Sequence, residues 1–241
     1  MRRDGRRADA LRPVRFQNHV APQATGSTLI EWGNTRVICA AMVEESVPGW
    51  MKARKVEGGW LTAEYSMLPY STPDRKARDI SKLKLDGRSQ EIQRLIGRSL
   101  RAVVDLEALG PRTVWVDCDV LQADGGTRTA SITGAWVALS LAVRRLRSEG
   151  LLTADPIRSP LAAVSTGVVA GAVLLDLDYS EDVAAAVDLN LVMNGAGEFI
   201  ELQASGEEAT FTDGQLATML QLGRQGITRL LEAQTGALAA G

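Results

Sequence analysis

The apolar residues between Arg112 and Arg147 change from a two-residue period to a helical period, which predicts a strand, a turn and a helix. The alternating positions are Val114, Val116, Cys118 and Val120, and the helical positions are Ile132, Ala135, Trp136, Leu139, Val143 and Leu146. Between them lies Asp124-Gly125-Gly126, whose tandem glycines adopt backbone angles that other residues avoid. We therefore expect a helix with one apolar face that begins directly after a glycine turn.

The start of this helix carries the first candidate chemistry. Gly126, Thr127 and Arg128 lie where backbone N–H groups lack helical partners and where the helix dipole is positive. A hydroxyl and a guanidinium beside such N–H groups suit an anion, and phosphate in particular. The alternative is that Thr127 or Asp124 only caps the helix. The turn alone does not decide between the two.

The same periodicities predict further elements on both sides of this segment. Strands are expected at residues 14–20, 28–33, 35–43, 60–65, 161–171, 172–179, 187–193 and 198–203, with a hairpin turn at Gly33-Asn34. Helices are expected at residues 88–107, after a cap at Ser180, and from Thr212-Asp213 onwards. Residues 71–84 are polar and basic, and we expect them to form a mobile loop. Strands followed by a helix, twice over, indicate an α+β fold of two similar halves. No linker is visible, so a single domain over residues 1–241 is expected.

The composition favours a globular protein in a reducing compartment. The chain has 241 residues, of which 45% are hydrophobic, enough for a sizeable core. Its two cysteines, Cys39 and Cys118, are far apart in sequence, which fits neither a disulfide framework nor a metal-ligand motif. The apolar runs are too short to span a bilayer, and the basic start lacks the apolar core of a signal peptide. We expect a cytoplasmic protein with no membrane partner.

The net charge is −2, but the charges are unevenly distributed. Arginines crowd residues 2–15 and 75–101, whereas residues 176–213 are rich in Asp and Glu and contain no Lys or Arg. This asymmetry indicates a basic surface for a polyanion and a separate acidic site. For the N-terminal arginines, the alternative is a solvated face without a function.

Several motifs together resemble the ribonuclease PH family of phosphate-dependent 3′ exoribonucleases, which includes polynucleotide phosphorylase and the exosome ring. They are Met1-Arg2-Arg3-Asp4-Gly5-Arg6, Gly87-Arg88, Glu91-Ile92-Gln93-Arg94-Leu95-Ile96-Gly97-Arg98, Asp117-Cys118-Asp119-Val120, the segment from Asp124 to Gly134, and Asp176-Leu177-Asp178-Tyr179. The resemblance covers nearly the whole chain, and the motifs are specific in combination although each is weak alone. Asp86 departs from the family pattern, in which we expect a small polar residue, and it should weaken the positive field around Arg88 slightly.

The resemblance implies roles for individual residues. Arg88, Gly126, Thr127 and Arg128 would hold inorganic phosphate, which attacks the 3′-terminal phosphodiester in place of water and releases a nucleoside diphosphate. Asp182 and Asp188 match a catalytic carboxylate pair that holds a divalent metal, Mg²⁺, or assists proton transfer, with Arg128 as a further catalytic residue. Arg75, Arg78, Arg94 and Arg98 would bind RNA. Asp176 and Asp178, in contrast, are expected only to solvate the end of a strand.

The resemblance also implies a fold and an assembly. The expected fold is α+β, a β-α-β-α relative of the second domain of ribosomal protein S5 with mixed sheets packed on helices. The expected assembly is a homohexamer, a trimer of dimers, that acts on the 3′ trailer of precursor tRNA. Two alternatives are a non-catalytic RNA-binding ring subunit, which the presence of Arg128, Asp182 and Asp188 disfavours, and a small-molecule kinase. A kinase of this topology needs a longer glycine-rich ATP loop than residues 124–128 provide.

Overall fold

Five strands from the N-terminal half of the chain form one mixed sheet in this computed structural model, which describes residues 2–78, 86–206 and 209–240. The strands are β1 (Val14–Asn18), β2 (Gly26–Trp32), β3 (Thr35–Glu44), β4 (Trp60–Met67) and β5 (Thr113–Gln122). Their order in the sheet is β1-β2-β3-β5-β4, and all pairs are antiparallel except β4 with β5. The predicted hairpin is confirmed, because Trp32 pairs with Thr35 across the turn at Gly33-Asn34.

The C-terminal half forms a four-stranded antiparallel sheet, and the described residues also include five helices. The strands are β6 (Leu161–Val169), β7 (Ala172–Leu175), β8 (Ala185–Asn194) and β9 (Phe199–Gly206), in the order β7-β6-β8-β9. The helices are α1 (Gly49–Arg54), α2 (Gly87–Arg101), α3 (Thr127–Ser148), α4 (Tyr179–Ala184) and α5 (Asp213–Ala239). The expected α+β class, with mixed sheets packed on helices, is thereby confirmed. None of the helices in the described ranges is both long and apolar enough to cross a bilayer.

Helix α3 is the centre of the core, and from Thr129 to Val143 it is buried on all sides rather than on one face as predicted. It packs against β2 and β3 of the first sheet and against β6 of the second. Small residues permit this close packing: a Cβ atom at Gly134 would lie 2.7 Å from Cys39 Sγ, and one at Gly26 would lie 2.4 Å from the Ala138 carbonyl oxygen. A helix between two sheets has no solvent face, so its amphipathic pattern is weak. Its N-terminus is fixed between the two halves of the chain.

The helix expected at residues 88–107 ends earlier, at Arg101. Val104 is buried, but it forms an isolated bridge with Ile157 instead of continuing the helix. Asp105 Oδ1 then accepts hydrogen bonds from two backbone N–H groups that follow it, both at 3.0 Å. An Asp side chain that binds nearby backbone N–H groups favours a turn over a helix.

The strand expected at residues 172–179 also ends earlier, at Leu175. Asp176 has a φ of 57°, a left-handed conformation that cannot continue a strand. Asp178 is the N-cap of α4, so the prediction that Ser180 caps this helix is wrong. Helix α1 was not predicted, whereas the final helix begins as expected, with Thr212 as its N-cap. Of the expected loop 71–84, residues 79–84 lie outside the described part of the chain.

Candidate active site

A polar cavity of about 150 Å³ lies where the N-terminus of α3 meets α2, α4 and β8. Its lining residues are Arg88, Gly126, Thr127, Arg128, Ser165, Asp182, Ala185, Asp188 and Asn190. The residues expected to hold phosphate and the two expected catalytic carboxylates therefore face a single space. They come from α2, the start of α3, α4 and β8, and the strands that line the cavity, β6 and β8, belong to the second sheet.

The glycine turn delivers helix α3 to this cavity without a side-chain cap. Gly126 is the N-cap residue, with a φ of 66°, and no side chain caps the first turn. Asp124 instead accepts a 3.0 Å hydrogen bond from Asn34 Nδ2, and the Thr127 hydroxyl accepts one from Tyr65. The alternative that Thr127 or Asp124 merely caps the helix is therefore wrong. The uncapped N–H groups and the positive end of the dipole are suited to bind an anion.

Residues distant in sequence hold the glycine turn in place. Thr35 Oγ1 donates a 2.7 Å hydrogen bond to the Gly125 carbonyl oxygen, and Arg12 Nη1 donates one to the Asp124 carbonyl oxygen. Gly125 is required by close packing, since a Cβ atom there would lie 2.6 Å from the carbonyl carbon of Asp178. The glycine turn thus packs tightly against the segment that precedes α4.

Tyr65 supports the cavity from β4. Its hydroxyl donates a 2.9 Å hydrogen bond to Thr127 Oγ1, and both side chains are buried. Burial raises the pKa of Tyr65 above its ordinary value of 10.0, with the Thr127 hydroxyl acting in the opposite direction. The phenol therefore stays a hydrogen-bond donor at neutral pH. Because Thr127 Oγ1 accepts from Tyr65, its own proton is available to a second acceptor.

Arg88 lies in the first turn of α2, next to the unexpected Asp86. Asp86 is the N-cap of α2 and accepts a 2.6 Å hydrogen bond from the Ser89 backbone N–H. It also accepts a 2.7 Å hydrogen bond from Lys76 Nζ. Desolvation acts to raise the pKa of Asp86, but the hydrogen bonds from Lys76 and Ser89 outweigh it and lower the pKa to about 2. Its charge is therefore compensated by a lysine and a helix terminus, so we attribute little weakening of the field at Arg88 to it.

The two carboxylates line the same cavity from α4 and β8. Asp182 belongs to α4, and Asp188 lies half-buried on β8 beside Asn190, whose Nδ2 donates a 3.3 Å hydrogen bond to Asp188 Oδ2. Helix α4 is fixed by a reciprocal capping box between Asp178 and Glu181, which also fixes the adjacent Asp182. Among the described residues, no three His, Cys, Asp or Glu side chains cluster as a metal site. A carboxylate pair fits a Mg²⁺ ion that takes its remaining oxygens from phosphate and water.

Two of the N-terminal arginines, Arg2 and Arg12, are buried structural residues, which corrects the expected basic surface for these two, whereas Arg3, Arg7 and Arg15 are exposed. Arg2 donates hydrogen bonds of 2.6 Å to each carboxylate oxygen of Glu181, and Arg12 donates one of 2.7 Å to Asp176 Oδ1. Asp176 is 1% exposed and also accepts a 2.9 Å hydrogen bond from Trp32 Nε1. The expectation that Asp176 and Asp178 only solvate a strand end is therefore wrong: Asp176 anchors the N-terminal segment, and Asp178 caps α4.

Two family models match this chain in succession. Domain 1 of the 3′ exoribonuclease family matches residues 10–144, and domain 2 of the same family matches residues 159–226. The chain belongs to this family. The match of two successive models leaves the single domain expected over residues 1–241 as a prediction.

Individual members of the 3′ exoribonuclease family match along almost the whole chain. Ribonuclease PH of Bacillus pumilus is 55% identical over 236 residues, which are 97% of this chain and 96% of that protein. Ribonuclease PH of Neisseria meningitidis is 53% identical over 238 residues, or 99% and 98% of the two chains. At these identities and this coverage, the similarity to ribonuclease PH extends along almost the whole chain and is not confined to the recognised motifs.

Solved structures of the family share the fold at lower identity. Rice (Oryza sativa) Rrp46 superimposes with a TM-score of 0.80 at 19% identity, covering 98% of this chain and all of that one. A chain of the Archaeoglobus fulgidus exosome with RNA bound to the active site gives a TM-score of 0.81 at 22% identity, covering 96% and 91%. The expected exoribonuclease fold is thereby confirmed.

The four arginines expected to bind RNA lie in two places. Arg75 and Arg78 are exposed in the segment after β4, and residues 72–74 of that segment line a cavity of about 450 Å³ that shares Arg88 and Asp182 with the first. Arg94 and Arg98 are on α2 and line a separate cavity beside Trp60. Arg98 is also ion-paired with Glu201 at 3.0 Å. Of the two places, the segment that carries Arg75 and Arg78 is the one that contributes residues to a cavity next to the candidate active site.

Several residues of the site are not signalled by the sequence. Asn190 and Ser165 line the cavity, Tyr65 supports Thr127, and Gln203 contacts Arg128 at 2.8 Å. Asn190 alternates with Asp188 on β8, so its side of the strand was predictable once Asp188 was chosen. The others come from strands of different halves, and only the folded structure brings them to the cavity.

Proposed function

We propose that this chain is a phosphorolytic 3′-to-5′ exoribonuclease, a tRNA nucleotidyltransferase that trims the 3′ trailer of precursor tRNA. The observation that supports this most directly is the single cavity in which Arg88 and Arg128 face Asp182 and Asp188. Cationic groups and uncapped helix N–H groups suit the attacking phosphate, while carboxylates suit a metal or proton transfer at the reacting bond. Membership of the 3′ exoribonuclease family and the identity with ribonuclease PH support the same activity.

Inorganic phosphate is the co-substrate in this proposal. An oxygen of phosphate attacks the phosphorus of the 3′-terminal phosphodiester, and the bond from phosphorus to the O3′ of the preceding nucleotide breaks. The leaving O3′ takes a proton, and the terminal nucleotide departs as a nucleoside diphosphate. Arg88, Arg128 and the Gly126–Thr127 N–H groups offset the repulsion between two anions, which is the main barrier to their approach.

The carboxylates are proposed to act on the leaving side of the reaction. Asp182 and Asp188 would hold Mg²⁺, which supplies charge stabilisation on the reacting phosphate when it is bound. Asn190 would orient Asp188 through its 3.3 Å hydrogen bond. Without a metal between them, either carboxyl group could instead assist proton transfer to O3′.

RNA is proposed to enter past the segment that carries Arg75 and Arg78. These side chains are exposed, and neither forms an ion pair with another described residue. We infer a homohexamer, a trimer of dimers, in which these arginines line the path of the RNA to an active site. Relatives described as an exosome core and as an exosome with RNA bound support an assembly of this type. The two free, buried cysteines fit a reducing, cytoplasmic location.

The product formed with and without phosphate tests the proposal. The purified protein is incubated with single-stranded RNA and Mg²⁺, in the presence or absence of inorganic phosphate, and the mononucleotide is identified by mass spectrometry. We expect shortening from the 3′ end only with phosphate, with nucleoside diphosphates as the product. Equal degradation without phosphate, giving monophosphates, would show that the enzyme is a hydrolase. RNA binding without any degradation would support the alternative of a non-catalytic ring subunit.

A further inference from the structure

Two side chains with no part in the proposed reaction hold the guanidinium group of Arg128. Arg128 Nη1 donates a 2.8 Å hydrogen bond to Gln203 Oε1 and a longer one, of 3.4 Å, to Glu91 Oε1. Gln203 Nε2 in turn donates to the same Glu91 oxygen at 3.2 Å. The three side chains form a closed triangle, the Arg128 triangle, which joins α3 to β9 and α2.

Arg128 occupies an electrostatically unfavourable position. It is the second residue of α3, where the helix dipole is positive, and the first turn contains no acidic residue. Arg88 faces the same cavity, so two guanidinium groups lie at this end of the helix. Glu91 follows Arg88 by three residues on α2, which places both on one side of that helix. Glu91 therefore supplies a negative charge close to Arg128 from the neighbouring helix.

The hydrogen bonds of Arg128 leave one edge of its guanidinium group for a ligand. Within the described residues, both hydrogen bonds that Arg128 donates use Nη1. A guanidinium group binds a phosphate bidentately through two adjacent nitrogen atoms. With Nη1 held by Gln203 and Glu91, the edge formed by Nε and Nη2 is the one that can bind an anion in this way.

The two partners differ in what they contribute. Gln203 is neutral and makes the shorter hydrogen bond, so it orients the guanidinium group without reducing the positive charge offered to phosphate. Glu91 is about half exposed, so water screens its attraction for Arg128. Its main contact within the triangle is the hydrogen bond that fixes the amide of Gln203.

We propose that Gln203 and Glu91 are positioning residues that fix the guanidinium group of Arg128 for bidentate binding of the attacking phosphate. This inference rests on the proposed function, because it requires Arg128 to bind phosphate. A freely rotating arginine would have to be ordered at each binding event, and that entropic cost would weaken phosphate binding.

The test is the phosphate dependence of RNA shortening by Gln203→Ala and Glu91→Ala. Losing one hydrogen bond to a charged group corresponds to about a tenfold change in affinity, so we expect the KM for phosphate of Gln203→Ala to rise about tenfold. Glu91→Ala should raise the KM for phosphate less than Gln203→Ala does. Glu91→Gln keeps an accepting oxygen, so its KM for phosphate should be close to that of the unmodified protein. The kcat at saturating phosphate and the KM for RNA should stay close to the unmodified values, since only binding of phosphate is weakened.

A neighbouring contact between the same elements provides a matched control. Glu201 on β9 pairs with Arg98 on α2 at 3.0 Å, two residues along the strand from Gln203. Glu201→Ala removes a contact between α2 and β9 without touching Arg128, so it should leave the KM for phosphate unchanged. In an Arg128→Ala background, Gln203→Ala should have no further effect, because the residue through which it acts is gone.

The outcomes separate this inference from the proposed function. If Arg128→Ala itself shows normal phosphate dependence, the role of Arg128 in the proposed function is wrong and the positioning role falls with it. If Arg128→Ala is impaired but Gln203→Ala and Glu91→Ala keep a normal KM for phosphate, only the positioning role is wrong. If Glu201→Ala raised the KM for phosphate as much as Gln203→Ala does, the positioning role would also be wrong, since the effect would then come from general loosening of β9.

Discussion

The hydroxyl of Tyr65 lies 2.9 Å from Thr127 Oγ1 and donates a hydrogen bond to it. The two residues belong to β4 and to the first turn of α3, so the bond links the first sheet to the helix end that faces the cavity. A hydroxyl that accepts from one partner directs its own proton to another. Under the proposed function, Tyr65 would orient Thr127 as a donor to phosphate, although Tyr65 is not among the cavity-lining residues.

Removing this hydroxyl should weaken phosphate binding without unfolding the protein. Tyr65→Phe keeps the buried ring and loses one neutral hydrogen bond, which contributes about 1 kcal/mol, so the KM for phosphate should rise about fivefold. Tyr70→Phe is the matched control, because Tyr70 is 69% exposed and the same change there should have no effect. The measurement is the rate of RNA shortening across a phosphate series. A KM equal to that of the unmodified protein would show that Thr127 needs no such orientation.

The carboxylate pair should affect catalysis and RNA binding in opposite directions. Asp182→Asn and Asp188→Asn keep the size of each side chain but remove its charge, so we expect activity to fall by about a hundredfold or more. RNA affinity should be unchanged or higher, because less negative charge faces the polyanion. Turnover and RNA affinity are measured side by side, with Asp155→Asn, at an exposed ion pair with Arg147, as the control. Loss of RNA binding with normal turnover of bound RNA would contradict the catalytic role.

The N-cap at Asp86 should give a defined pH dependence of stability. Asp86→Ala removes the cap of α2, which costs about 1 kcal/mol at neutral pH. In the folded state the pKa of Asp86 is about 2, below its ordinary value of 3.8, so the ionised form is the stabilising one. Its contribution is complete above pH 3.8 and is lost as the pH falls from 3.8 towards 2. Urea unfolding across a pH series measures the difference in the free energy of unfolding between the unmodified protein and Asp86→Ala. This difference should shrink only between pH 3.8 and pH 2. A difference that also changed between pH 5 and pH 7 would contradict this role of Asp86.

Sequence periodicity predicted most strands, because each alternating apolar run lies on one face of a sheet. Ile30 and Val37 are fully buried in the hairpin of β2 and β3, and Gly33 between them has the positive φ of 59° that the turn requires. The limits of α2 and β7 were less predictable. Asp176 turns the chain directly after β7, and Asp105 turns it a few residues after α2. An Asp that turns the chain cannot be distinguished in sequence from one that faces solvent.

The candidate site was predictable only in part, for a related reason. Local sequence identifies the glycine turn and the carboxylates near it, but it does not show which distant side chains approach them. The N-terminal arginines illustrate the difficulty: Arg2 and Arg12 looked like a charged surface, yet they are 8% and 5% exposed because Glu181 and Asp176 neutralise them. Such pairs span more than 160 residues of sequence, a separation at which no local pattern carries information.

The buried Asp176 should be essential for stability rather than for chemistry. Asp176→Asn keeps a residue that tolerates the left-handed φ of 57° but leaves Arg12 and its neighbours without their carboxylate. Breaking a buried ion pair by removing one partner costs about 3–5 kcal/mol, and we expect a loss of that size in urea unfolding at fixed protein concentration. Asp4→Asn, which removes an exposed carboxylate paired with Arg6, should cost about 1 kcal/mol or less. If the two variants lost similar amounts of unfolding free energy, the burial of Asp176 would make no special contribution to stability.

The exposed arginines after β4 should contribute to RNA binding and not to the reaction. Arg75 and Arg78 form no ion pair with another described residue, and both are exposed. Each contact to a single-stranded phosphate contributes about 0.7 to the slope of log affinity against log salt, so replacing both by Ala should lower that slope by about 1.4. Turnover of a short oligonucleotide at saturating concentration should change little, because the cavity residues are untouched.

The far end of α3 offers a control for this pair. Arg145→Ala with Arg147→Ala removes the same two charges near the C-terminus of the helix, about 30 Å from Arg128. Both arginines are already ion-paired, with Glu149 and Asp155, so neither is expected to contact RNA. The salt slope of this control should match that of the unmodified protein. If both double variants lower the slope equally, RNA responds to the overall charge of the protein, and the segment with Arg75 and Arg78 is not its path.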